Sequence, residues 1–122
     1  MNQNIDIEPT REDAWNLLCE YTQSDSLRRH ALGVEQVMRK IAERSGGDPD
    51  LWGTTGLLHD FGYEKYPTAD EHPYMGNKIL KERGYPEEIT DAIMGHANYT
   101  GVQRESMMAK ALYAVDELTG FI

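Results

Sequence analysis

The chain is expected to be all-α, a compact bundle of about six helices, and three observations carry that expectation. Apolar residues recur at three- and four-residue spacing along every long segment. The breaks between those segments fall at Gly and Pro. No stretch alternates with period two for long enough to make a strand.

The elements follow in order. A first helix begins after Pro9, where Thr10 and Asp13 have the spacing of a capping box, and it turns Ala14, Leu17, Leu18 and Tyr21 inward. A second starts near Ser24–Ser26, carries Leu27, Ala31, Val34, Met38 and Ile41 on one face, and stops at Gly46-Gly47. Asp48-Pro49 reads as an N-cap followed by a first-turn proline, opening a third helix through Leu51, Trp52, Thr55 and Leu58 that runs into His59-Asp60 and ends at Gly62. The stretch from Tyr63 to Asp70, with Pro67, is a loop. Pro73 opens a fourth helix with Met75, Ile79 and Leu80 inward, ending at Gly84. Pro86 starts a fifth, whose Glu87 and Glu88 suit the positive end of the helix dipole and whose inward residues are Ile89, Ala92, Ile93 and His96. After a loop over Ala97–Arg104, a last helix from about Ser106 turns Met108, Ala111, Leu112, Val115 and Leu118 inward.

A length of 122 residues makes one domain, here residues 1–122, with a helical N-terminal part over 1–23 and a core over 24–119. The chain closes on Gly120-Phe121-Ile122, so the tail is expected to pack on the core, to meet a partner subunit such as a second copy in a homodimer, or to lead into a C-terminal extension. The formal net charge of -9 argues against a nucleic-acid backbone or an anionic membrane as main partner. A small anionic molecule stays open, provided something local and positive receives it. Cys19 is alone, which excludes an internal disulfide and a zinc–thiolate cluster. Neither a signal peptide nor a membrane span can be read, and a cytoplasmic protein is expected.

The four histidines, His30, His59, His72 and His96, are the most informative feature. His30 lies on the inward stripe of the second helix, and His59 ends the third with Asp60 directly after it. His72 precedes Pro73 at the start of the fourth helix, and His96 ends the fifth. Asp116 borders the apolar stripe of the last helix, four residues after Leu112. Burying imidazoles and carboxylates without partners is costly, so their placement on core-facing surfaces of several helices calls for a reason. A metal centre supplies one, and mixed imidazole and carboxylate donors suit divalent Fe, Mn, Co, Ni or Zn better than Ca or Mg. Singly, each has a plainer reading: a satisfied core histidine, or an Asp116 paired with Lys110 or Arg104.

Taken together, these residues and their contexts resemble the HD superfamily of metal-dependent phosphohydrolases. The contexts are Leu27-Arg28-Arg29-His30, Gly56-Leu57-Leu58-His59-Asp60-Phe61-Gly62 and Ala114-Val115-Asp116-Glu117-Leu118, and the likeness runs from Ser24 to Thr119. It implies an HD-domain helical bundle around a metal site held by His30, His59, Asp60 and Asp116. His72-Pro73 and Gly95-His96 are similar to the added histidines of two-metal members, which implies a dinuclear site bridged by Asp60. Bacterial HD hydrolases that split diadenosine tetraphosphate symmetrically are a near pattern, with Thr100-Gly101 after the last histidine. Gly84-Tyr85-Pro86 spells the signature of the cyclic-di-GMP phosphodiesterases of the HD-GYP group, but precedes His96 instead of following it and reads as a helix stop and start.

The activity implied is hydrolysis of a phosphoester or phosphoanhydride in a nucleotide or similar small phosphate by metal-activated water. Asp60, Lys65 and Arg104 are the expected catalytic residues, and Lys65, Tyr99, Thr100 and Arg104 the expected substrate contacts. For Lys65 and Arg104 the plain alternative is an exposed charge. Rival readings are an oxygenase with two irons on the same six ligands, a metal- or nucleotide-binding module without turnover, and a plain helical bundle.

Overall fold

The computed structural model describes residues 9–66, 68, 71–95 and 106–119, with the backbone alone at 72, 73 and 119. Six α-helices and no strand occur among them: α1 (Arg11–Tyr21), α2 (Asp25–Ser45), α3 (Pro49–Leu58), α4 (His72–Glu82), α5 (Glu87–Gly95) and α6 (Met107–Thr119). The all-α expectation holds.

Helix starts sit where the capping residues put them. At α1 the Thr10 hydroxyl accepts the Asp13 N–H while the Asp13 carboxylate accepts the Thr10 N–H, a reciprocal capping box. Ser24 caps α2, and Gly46, at φ +83°, closes it in the left-handed region that favours glycine. Asp48 caps α3 ahead of Pro49. Gly84, at φ +87°, ends the turn after α4 and leads to buried Tyr85 and then Pro86.

The packing centres on α3, which touches α1, α2, α5 and α6. Every residue from Trp52 to Leu58 is buried, so the last two turns of this helix have no solvent-facing side. Its contact with α2 is close because glycines line it: a Cβ at Gly56 would lie 3.0 Å from Met38 Cγ and 3.1 Å from the Val34 carbonyl oxygen. The core assembles Leu17 and Leu18 of α1, Val34 and Met38 of α2, Leu57 and Leu58 of α3, Leu80 of α4, Ile89 and Ile93 of α5, and Leu112 and Val115 of α6.

Two expectations need correction. The third helix does not run on into His59-Asp60. It ends at Leu58, and residues 59–65 form successive turns, with Phe61 N–H donating to the Leu58 carbonyl and Tyr63 N–H to that of Asp60. Leu118 is 68% exposed instead of inward. It lies seven residues after half-buried Ala111, two turns further along the rim of the stripe and in the last turn of α6.

Glu35 was not foreseen as a core residue, yet it is 1% exposed. Its carboxylate accepts Arg11 Nη2 at 2.8 Å and Nε at 3.1 Å, and Arg39 Nε at 3.1 Å. Arg39 Nη1 continues to Asp50 Oδ1 at 2.8 Å, so one ion network ties α1, α2 and α3. The bond to Glu35 is the largest influence on Arg11 and holds its guanidinium even more firmly protonated. No helix among the described residues is long and apolar enough to cross a membrane.

Candidate metal centre

Four side chains from three places in the chain meet at one end of α3. His30 projects from the second turn of α2, His59 caps the C-terminus of α3, Asp60 follows it in the turn, and Asp116 stands next to buried Val115 on α6. One ligand atom from each lies within 4.8 Å of the others.

The fold fixes the central member most tightly. His59 is fully buried, as are Leu58 before it and Phe61 two residues on. Its Nδ1 lies 2.7 Å from the Gly56 carbonyl, which can only accept, so Nδ1 carries a hydrogen and Nε2 faces the group. Nε2 is 3.0 Å from Asp116 Oδ1 and 3.2 Å from Asp60 Oδ2. His30 Nε2 lies 3.4 Å from the same Asp116 oxygen, and the two imidazole rings are 5.2 Å apart. The side chains of His30, Asp60 and Asp116 are 29%, 31% and 28% exposed, which makes the group a bowl with a buried floor and an open mouth.

The electrostatics follow from this crowding. Burial alone pulls the His59 pKa down, but the charge of Asp60 and the bonds to Asp116 and Asp60 outweigh it and raise the pKa well above the ordinary imidazole value. Burial pushes the Asp116 pKa up, while hydrogen bonds from His30 and His59 overcome it and hold the carboxyl well below the usual carboxylate range. Two carboxylates converging on one buried nitrogen are balanced by positive charge, which the protonated imidazole or a metal ion in its place can supply. Two imidazole nitrogens and two carboxylate oxygens suit a divalent first-row metal, and the carbonyl behind His59 is the partner that fixes a ligating imidazole's orientation. The donor set fits such an ion.

The remaining expected site residues fall as follows. His72 is the first residue of α4. His96, Tyr99, Thr100 and Arg104 lie outside the described residues. Lys65 is exposed, with its Nζ 5.1 Å from the centroid of the Tyr21 ring. Asp116 meets the two histidines, and no ion pair with Lys110 is formed among the described residues. Gly56 stands in the sequence only as the start of the context around His59-Asp60, and the fold gives it a role, since its carbonyl orients His59 three residues on.

Comparison with known proteins points the same way. Relatives include the tRNA (cytidine(56)-2'-O)-methyltransferase of Thermoplasma volcanium, 26% identical over 90% of this chain and 32% of that protein. The Ribonuclease Y of Fusobacterium nucleatum is 26% identical over 74% of this chain and 18% of its own length. That of Rhodopirellula baltica is 32% identical over 60% and 14%. The chain therefore spans about a third of the first relative and under a fifth of the other two. No solved structure matches it at a significant level. The charge-based expectation of no nucleic acid has no support in relatives named for RNA enzymes. The family model described as HD domain matches residues 27–118, a span that contains His30, the His59-Asp60 pair and Asp116, and the chain belongs to the HD domain family.

Proposed function

We propose that the protein is a metal-dependent phosphohydrolase acting on a phosphoester or phosphoanhydride of a nucleotide, free or within an RNA. One observation supports this reading above the others: His30, His59, Asp60 and Asp116 converge from separate elements into one open-mouthed group of metal-donor atoms. Relatives named as ribonucleases favour a phosphodiester among the substrates, while a phosphoanhydride is carried only by the histidine pattern of the sequence, His72-Pro73 and Gly95-His96 with Thr100-Gly101.

In this reading the four residues hold a divalent ion, which supplies the positive charge that lets an anionic phosphate approach and lets water attack phosphorus at neutral pH. His59 stays rigid because its Nδ1–H is committed to the Gly56 carbonyl. Asp60 and Asp116 would balance the charge of the ion, and His72 and His96, together with Asp60, would hold a second one. Water adds its oxygen to phosphorus, the bond from phosphorus to the leaving oxygen breaks, and a proton passes to that oxygen. Lys65 and Arg104 are proposed to meet the remaining phosphate charge, and Tyr99 and Thr100 to touch the rest of the substrate. Residues 1–122 are proposed as a single HD domain, with the metal-binding core over 24–119.

The test is a substrate panel offered to the Mn-, Fe- and Co-loaded protein: nucleoside phosphates, diadenosine tetraphosphate and short RNA. Turnover that disappears in His59→Ala/Asp60→Ala supports the proposal. A loaded protein inert toward the whole panel yet stabilised by one of its members would replace it with a binding module.

A further inference from the structure

The turn carrying His59 and Asp60 is fastened to the start of the helix carrying His30 by contacts that involve none of the metal donors. Thr22, 1% exposed, donates its hydroxyl to the Phe61 carbonyl at 2.9 Å. The Glu64 carboxylate accepts the backbone N–H of Gln23 at 3.0 Å and of Ser24 at 2.9 Å, so an anion lies at the N-terminus of α2. Arg28 braces the same junction from within α2, its Nε donating to the Thr22 carbonyl at 2.7 Å and its Nη2 to that of Cys19 at 3.2 Å. The Phe61 ring meets Tyr21 edge-on at 5.4 Å.

We infer that Thr22 and Glu64 are positioning residues of the metal centre, a clasp that sets the spacing between His30 and the His59-Asp60 pair. This rests on the metal-binding reading above. The clasp grips Phe61, the residue after Asp60, and Ser24, six residues before His30 on a rigid helix. A slip of the turn against α2 would carry His59 and Asp60 away from His30, and a metal site loses affinity when its ligands are no longer held in register. The same contacts give the N-terminal helix a part in the site although it supplies no ligand: α1 ends at Tyr21 with Thr22 as its cap.

The experiment titrates the full chain with Co(II), reading affinity and the visible Co(II) absorption. Glu64→Gln and Thr22→Val are each expected to weaken binding by about tenfold or more and to alter the absorption. Thr22→Ser, which keeps the hydroxyl, should restore both. Arg83→Ala serves as the control for lost stability, because it breaks the exposed Arg83–Glu20 pair and should leave both readouts unchanged. Affinity within about twofold of wild type and an unchanged spectrum in Glu64→Gln and Thr22→Val would overturn the inference, whatever their melting temperatures. If Thr22→Val does not fold, Glu64→Gln, at an exposed position, decides. If wild-type protein takes up no Co(II), the metal reading itself fails, and the clasp is judged on the metal-free chain. There, moved imidazole ¹⁵N shifts of His30 and His59 in Glu64→Gln support it, and unmoved shifts overturn it.

Discussion

Two carboxylates from the same chain have opposite surroundings, and their substitutions should behave differently. Glu35 lies in the interior against Arg11 and Arg39, and Glu35→Gln removes charge-assisted bonds that a neutral amide cannot replace. Urea unfolding should show a loss of about 2 kcal/mol or more. Glu64 is exposed, and its pKa is lowered first by the Gln23 N–H, then by that of Ser24, with Arg28 adding its charge. A carboxylate whose folded pKa is depressed contributes stability above its unfolded pKa, and that contribution fades as pH falls through the folded value. The melting-temperature gap between wild type and Glu64→Gln should therefore be constant from about pH 7 to 5 and close below about pH 4. A gap that persists unchanged into acid would show that the Glu64 charge contributes nothing. Only part of this pairing is written in near neighbours: Glu35 meets Arg39 one turn on, but it meets Arg11 across 24 positions and Glu64 meets Gln23 across 41. Local pattern shows that a charge stands on a helix or in a loop, and only the fold shows which partner it finds.

At the scale of elements, the caps were legible because each is a local reaction between a side chain and the next turn, as at Thr10, Ser24 and Asp48. The faces were legible wherever a helix has one side in solvent. From Trp52 on, α3 is buried on every side, so its periodicity there carries no orientation, and its end at Leu58 is followed by the turn that holds His59 and Asp60. Leu118 misled because an apolar residue at the rim of a stripe looks like one at its centre. Two glycine substitutions test the packing between α2 and α3. Gly56→Ala would press on Met38 and on the Val34 backbone, at 3.0 and 3.1 Å, and should destabilise by about 1–3 kcal/mol. Gly33→Ala, with nothing within 4 Å of the new methyl, should stabilise α2 by about 0.5–1 kcal/mol. Equal effects in chemical denaturation would contradict the close approach at Gly56.

At the scale of the molecule, the net charge of -9 sits beside a centre that gathers two carboxylates around two imidazoles. The identity of these four residues was legible because a histidine on an apolar stripe, a His-Asp pair at a helix end and an acid beside a buried valine, each with a plainer reading alone, together make a family pattern. What sequence could not supply is their geometry, since His59 and Asp116 are brought together across 57 residues by the packing of α6 against α2 and α3. An ion there binds the folded state alone, so a chelator should lower the melting temperature of metal-loaded protein and leave His59→Ala/Asp60→Ala unmoved. The most direct test of the whole account is the metal content per chain of gently purified protein, measured beside that double variant. Wild-type protein should carry bound transition metal, two ions where His72 and His96 complete a second site, and the variant none. Wild-type protein that stays metal-free after reconstitution, or a variant that holds as much metal as the wild type, would contradict it.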